Sequence, residues 1–216
     1  MLTCCWSSKG GVGTTVVATG LALVLARASA PGALLVDVRG DVPTVLGLAG
    51  ADDAGLARWM VSPEEAEVPV GSGLSIVRRG AEALDPASAD ALVAALSADA
   101  RPVVVDAGVL PGAREAASAD DEVALACARG ASRSLLVLRP CFLALRRALA
   151  APVRASGVVV VAEEGRALGS ADVADALGLP VLAEVRVAAQ VARAVDAGLF
   201  ATRLPRSFER EVRSAA

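Results

Sequence analysis

The chain contains no histidine and no tyrosine, and among its 21 lysine and arginine residues only Lys9 is a lysine. Without histidine, Ser-His-Asp catalysis and His-ligated metal sites are excluded. Aromatic residues make up 2% of the chain, so its core rests on small aliphatic side chains, which suit helices packed closely on a parallel sheet. Cysteine is scarce: Cys4, Cys5, Cys127 and Cys141 include no C-x-x-C pair, so neither a zinc site nor a thioredoxin-like motif is supported. They read as small apolar residues in a reducing cytosol. The uncharged stretch 10–26 falls short of the ~20 apolar residues of a membrane span and lacks the charged start of a secretory signal. A cytoplasmic protein with no transmembrane segment is expected. The formal net charge of −3 argues against a dedicated nucleic-acid binder.

What is abundant is Ala, Val and Leu. Hydrophobic residues are 55% of 216, mean hydropathy is +0.56, and nothing marks a linker, so 1–216 reads as one domain. Short β-branched runs alternate with Ala/Leu-rich stretches. Strands are expected at Leu2–Trp6, Ala33–Val38, Leu74–Val77, Pro102–Asp106, Ser134–Leu138, Gly157–Ala162 and Val181–Val185. Continuous runs such as Val103-Val104-Val105 suit strands buried on both faces. Asp85-Pro86 and Ser170 mark helix starts, Gly178 and Gly198 helix ends. The pattern predicts an α/β fold of the P-loop type, a mainly parallel twisted sheet of about seven strands with helices on both faces. The irregular segment 39–73 is expected to hold short helices.

The solitary lysine sits in Ser8-Lys9-Gly10-Gly11-Val12-Gly13-Thr14-Thr15, between the first strand and a long apolar helix. Strand, glycine loop and helix together surround an anion with backbone N–H groups and a helix N-terminus. In an ordinary P-loop, G-x-x-x-x-G-K-[ST], a lysine precedes the hydroxyl residue and reaches the β- and γ-phosphates. Thr14 holds that place here, and Thr15 the magnesium-ligating hydroxyl position.

This arrangement resembles the deviant Walker A motif, lysine-Gly-Gly-x-x-lysine-[Ser/Thr], of the MinD/ParA family of dimerising ATPases. Lys9, Gly10, Gly11, Gly13 and Thr15 match and Thr14 departs, a loss that resembles the CpaE/TadZ branch, which places and assembles Tad-type pili. The likeness extends to Leu34-Leu35-Val36-Asp37, to Gly40-Asp41-Val42 with Leu46-Gly47-Leu48, and to a Walker B-like strand, Pro102 to Asp106. Leu135–Pro140 with Leu145-Arg146-Arg147-Ala148, and the stretch from Gly169 to Gly198, resemble the strands and helices that follow. The resemblance implies ATP and Mg²⁺ as cofactors and a homodimer in which Lys9 reaches the partner's phosphates. It places Lys9 and residues Gly10, Gly11, Val12, Gly13, Thr14 and Thr15 on the nucleotide. Thr15, Asp37 and Asp106 would serve the metal, partly through water, and Lys9, Asp37 and Asp106 the catalysis. It also implies partners from a pilus, secretion or cell-positioning system that recruit the protein to the cell pole or inner membrane face. The receiver-like N-terminal domain of many CpaE/TadZ proteins is not expected, since the loop begins by residue 8.

Departures bear on activity. Arg39 stands where relatives carry a second aspartate tied to hydrolysis, Ala162-Glu163-Glu164 where an adenine-contacting asparagine is common, and Arg186 where proline is common. One lost charge-assisted phosphate contact costs about 1.5–3 kcal/mol, ten- to a hundredfold in affinity. A cation on the transferring phosphoryl group is worth roughly 10³–10⁵ in rate. Turnover should therefore suffer far more than binding: weak ATP binding with slow or absent hydrolysis is expected.

Plainer readings stand beside these. Asp37 and Asp106 end strands, where aspartate often only accepts loop N–H bonds, and Asp41 reads as a helix cap before Val42-Pro43. Arg139, Arg146, Arg147 and Arg154 read as solvated surface. At the C-terminus, Phe208 and Val212 form a stripe too thin for a membrane-targeting helix. Gly11-Val12-Gly13 with Asp37 approximates a dinucleotide fingerprint, but Val16 replaces its third small residue. A nucleotide-free scaffold and a DNA-partitioning ATPase are the remaining alternatives, the second disfavoured by charge.

Overall fold

The structure, a computed structural model, describes residues 1–49 and 55–216. A single sheet runs through it in the order β3-β4-β2-β5-β1-β6-β7-β8. Its strands are β1 (Leu2–Ser7), β2 (Ala33–Asp37), β3 (Glu67–Gly71), β4 (Leu74–Val77), β5 (Val103–Val109), β6 (Arg133–Leu138), β7 (Gly157–Ala162) and β8 (Val181–Arg186). All pair in parallel except β3, which is antiparallel to β4. β1 is central and buried at every position, as its uninterrupted apolar run requires when helices cover both faces. Period-2 alternation divides its side chains: Leu2, Cys4 and Trp6 join one core and Cys5 the other. The adjacent cysteines therefore face opposite layers, and all four thiols are free.

One layer is built from α1 (Thr14–Ala28), α2 (Val42–Leu46), α9 (Ala189–Asp196) and α10 (Arg206–Val212); the other from α3 (Gly55–Trp59), α5 (Ala89–Ala98), α6 (Ala119–Gly130), α7 (Phe142–Leu149) and α8 (Ser170–Leu177). A short α4 (Pro63–Ala66) precedes β3. The irregular segment does hold short helices, α2 to α4, although residues 50–54 lie outside the described residues. The chain leaves β1 toward β2 on one side, and leaves β6 toward β7 on the other. Their carboxyl ends thus flank a crevice of the kind in which open α/β sheets bind ligands.

Two expectations stand with added detail and one needs correction. The sheet has eight strands, because β3 adds a hairpin edge across Gly71-Ser72-Gly73, all at positive φ. Pro69 and Glu67 hid it: proline is poor in strands, but an edge strand with one N–H side unpaired tolerates it. Asp85 caps a 3₁₀ turn, Pro86–Ser88, that leads into α5, its carboxylate accepting from Ala87 N–H at 3.0 Å. Ser170 is the first residue of α8, and Asp172 instead accepts from the N–H of Gly169 at 2.8 Å. The ends at Gly178 and Gly198 stand, with φ of 61° and 64°.

The apolar stripe of α10 serves the interior. Phe208 and Val212 are buried, and the Phe208 ring meets Phe200 edge-on at 5.5 Å. No described helix is long and apolar enough to cross a membrane. α10 lies so close to α1 that a Cβ at Gly20 would run into the Phe208 ring. Gly20→Val should therefore cost about 1–3 kcal/mol of overpacking, read as a lowered urea midpoint at unchanged slope.

Candidate nucleotide-binding site

At the end of β1 the chain turns through residues 8–13 and enters α1 at Thr14. Gly11 and Gly13 adopt φ of 73° and 94°, the left-handed region that glycine alone enters without strain. A Cβ on either would meet nothing within 4 Å, so both face open space. Gly13 is the N-cap of α1, and no side chain caps that end. The first-turn amides thus point outward at the positive end of the helix dipole, an arrangement suited to an anion.

These groups line a cleft of about 540 Å³ that also includes Ser7, Arg39, Asp41, Thr44, Gly108 and Val109. Of the sequence-predicted binding residues, Gly11, Val12, Gly13, Thr14 and Thr15 border this cleft, while Lys9 and Gly10 do not. Lys9 is half-buried and forms no hydrogen bond or ion pair among the described residues. Thr14, in the place of the P-loop lysine, is 6% exposed.

Asp37 and Asp106 occupy paired positions on β2 and β5 and are fully buried. Their bonding differs. Asp37 accepts three backbone N–H bonds: Oδ1 from Arg39 (2.9 Å) and Gly40 (2.7 Å), Oδ2 from Val42 (3.0 Å). It ties the β2–α2 turn and serves the first amide of α2. Asp41, expected to cap that helix, holds the N-cap position without a side-chain bond and lines the cleft instead. Burial raises the Asp37 pKa despite its three amide donors.

Asp106 accepts one bond, from Gly108 N–H to Oδ1 at 3.1 Å. Its Oδ2 is buried with no partner among the described residues. Burial pushes its pKa up to about 7; the nearby Thr15 hydroxyl lowers it without completing a bond to Oδ2, and the charge of Asp37 raises it. A buried, unpaired carboxylate oxygen is costly and calls for a proton or a cation. No cluster of three or more His, Cys, Asp or Glu able to hold a metal occurs among the described residues. One carboxylate and one hydroxyl nevertheless fit Mg²⁺, which takes few protein ligands and completes its shell with water and phosphate oxygens.

Arg39 lies across the carboxyl end of β5. Its Nε donates to Ala107 O (2.9 Å), and its Nη2 donates to Val109 O (2.7 Å) and pairs with Asp121 Oδ1 (2.8 Å). A side chain at Gly108 would collide with it. Sequence reading found in Arg39 only a missing aspartate; its partners lie 68 to 82 residues away, where no local pattern points to them.

On the other side of the loop a second, apolar slot of about 230 Å³ is lined by Val12, Val16, Val161, Val185, Val187 and Val191, with Arg139 among its polar members.

With this geometry in place, comparison with solved structures is decisive for the architecture. A ParA family ATPase from Chlorobium tepidum TLS superposes with a TM-score of 0.78 at 16% identity, covering 98% of this chain and 96% of that one. The fold is that of the MinD and ParA ATPases. MinD in the MinC:MinD cell division complex of Aquifex aeolicus gives 0.77 at 18% identity, over 99% and 92% of the two chains. The septum site-determining protein MinD of Pyrococcus horikoshii OT3, complexed with Mg-ADP, gives 0.74 at 17% identity, over 100% and 95%. No protein-family model matches the chain, and no curated protein matches it by sequence. At these identities the MinD/ParA likeness establishes the fold, and the chemistry rests on the residues.

Proposed function

We propose that the chain is an ATP-binding, dimerising localisation or assembly factor of the MinD/ParA class, nearest the CpaE/TadZ branch, with slow or absent hydrolysis. The observation that carries this reading is an uncapped glycine-loop helix terminus on the cleft wall together with a buried, unpartnered Asp106 oxygen behind it, next to the cleft-lining Thr15 and Gly108. The amides of residues 11–15 bind the phosphate oxygens. Thr15 and Asp106 hold Mg²⁺, which when bound supplies positive charge to the β- and γ-phosphates. Asp37 shapes the turn that closes the cleft, and any contact it makes to the metal passes through water. The valine-lined slot takes the base.

Lys9 supports the dimer. It does not border its own cleft, lacks a partner among the described residues, and follows Ser8, whose hydroxyl donates to Ala144 O of α7 at 3.2 Å. Phe142 and Leu143 of α7 are 71% and 48% exposed, an apolar face beside the loop. A second copy covering that face brings Lys9 to the partner's phosphates. The protein then acts in the cytoplasm through proteins of a pilus, secretion or cell-positioning system that recruit it to the pole or inner membrane face.

Light scattering after gel filtration tests this. MgATP should convert the wild type to a dimer, while Lys9→Ala should bind nucleotide yet remain monomeric. Equal dimerisation of the variant contradicts the assignment, and ordinary phosphate release that depends on Lys9 contradicts slow turnover. A nucleotide-free scaffold is the second reading, favoured by the buried Thr14 in place of lysine.

A further inference from the structure

The glycine loop lacks the lysine that would neutralise phosphate charge from within its own chain, and Lys9 does not border the cleft. Among the described residues that line the cleft, only Asp41 and Arg39 carry charge. An anion bound at the loop would face Asp41 with one cation available to offset it.

That cation is held in place. Arg39 keeps a side-chain exposure of 20% and spends Nε and Nη2 on two β5 carbonyls and Asp121. Asp121 is fixed in turn: its Oδ2 accepts from the Ser118 N–H and hydroxyl at the start of α6. The Nη1 donors have no partner among the described residues. Gly108, at φ 61°, leaves the space over which the side chain passes. A guanidinium presents five N–H donors in a rigid fork, so Nη1 can serve a phosphate while the other arm stays bound. Because the side chain is already ordered, little rotamer entropy is lost when ligand arrives.

The geometry points to Arg39 as the phosphate-binding cation of this cleft, acting on the nucleotide of its own chain in place of the lysine missing at Thr14. This rests on the nucleotide reading above and goes beyond it, since Arg39 otherwise counts only as a lost aspartate.

Calorimetric titration of MgATP and of adenosine into wild type and variants tests the assignment, with melting curves confirming that each variant is folded. Arg39→Ala should weaken MgATP binding ten- to a hundredfold and leave adenosine binding unchanged. Gly108→Val, which displaces the arginine without removing it, should do the same. The double variant Thr14→Lys with Arg39→Ala should recover most of the loss, because it returns a cation to the ordinary P-loop position. Unchanged MgATP affinity in Arg39→Ala, or equal loss of ATP and adenosine binding, overturns the assignment. A wild type that binds no MgATP overturns the nucleotide reading and this assignment together, whereas wild-type binding with an indifferent Arg39 removes this assignment alone.

Discussion

Asp106→Asn is expected to stabilise the ligand-free protein above pH 7 while removing the Mg²⁺ dependence of nucleotide binding. The carboxyl is fully buried with one oxygen unpartnered among the described residues, and burial lifts its pKa from the ordinary 3.8 to about 7. An acid whose folded pKa exceeds its unfolded value binds its proton more tightly in the fold, so ionisation opposes folding. Wild-type stability should therefore fall as pH rises from about 4 to about 7 and stay low above that. A shift of about three units corresponds to roughly 4 kcal/mol as an upper bound. The amide carries no charge, so the variant should gain stability at pH 8, gain little at pH 4, and keep only the smaller slope left by Asp37, whose pKa is raised in the same sense. Urea midpoints at the two pH values read this directly. The same ionisation links to function: the carboxylate ligates a cation only when deprotonated, so the advantage of MgATP over ATP should grow through pH 7 in the wild type and vanish in the variant. Equal destabilisation of the variant at both pH values would falsify the assignment.

The second large effect is structural. Trp6→Ala should cost about 3–5 kcal/mol, the range for removing a buried aromatic from a packed core. Trp6 is 1% exposed, and its Nε1–H donates to the Ser134 hydroxyl at 2.9 Å, joining β1 to β6 one residue before β1 ends at Ser7. At about 2–4 °C per kcal/mol for a domain of this size, the midpoint should drop by roughly 6–20 °C. Trp6→Phe keeps most of the volume and loses the hydrogen bond, so it should cost about a third as much. Calorimetric melting separates these outcomes; a loss below about 1 kcal/mol for the alanine variant would show that the β1–β6 seam is not packed as described.

The sheet was legible because its strands are buried on both faces, and Val103-Val104-Val105 or Val158 to Val161 permit no other solution in a helix-covered layer. β3 escaped because an edge strand need not be apolar or free of proline. At the site, the glycine loop announced itself by local spacing, since positive φ at Gly11 and Gly13 demands glycine whatever lies elsewhere. The roles of the carboxylates were not legible in the same way. Asp37 and Asp106 face each other in register and are equally buried, although Asp37 ends β2 and β5 runs on past Asp106 to Val109. Only the turn geometry shows three amides converging on one and leaving an oxygen of the other free. Arg39 depends on contacts with Gly108 and Asp121, and one-dimensional spacing carries no trace of them. Asp41 shows the reverse error: its position before Val42-Pro43 satisfies every local rule for a cap, yet Asp37 reaches across the turn and does that work.

Calorimetric titration of MgATP into the wild-type protein tests the central claim most directly. One nucleotide per chain should bind with a dissociation constant between micromolar and millimolar, weakened by EDTA and by Gly13→Val, which closes the amide cradle. A flat trace at high millimolar ATP, from protein whose melting curve shows it folded, would contradict nucleotide binding and leave the MinD/ParA fold in the service of a scaffold.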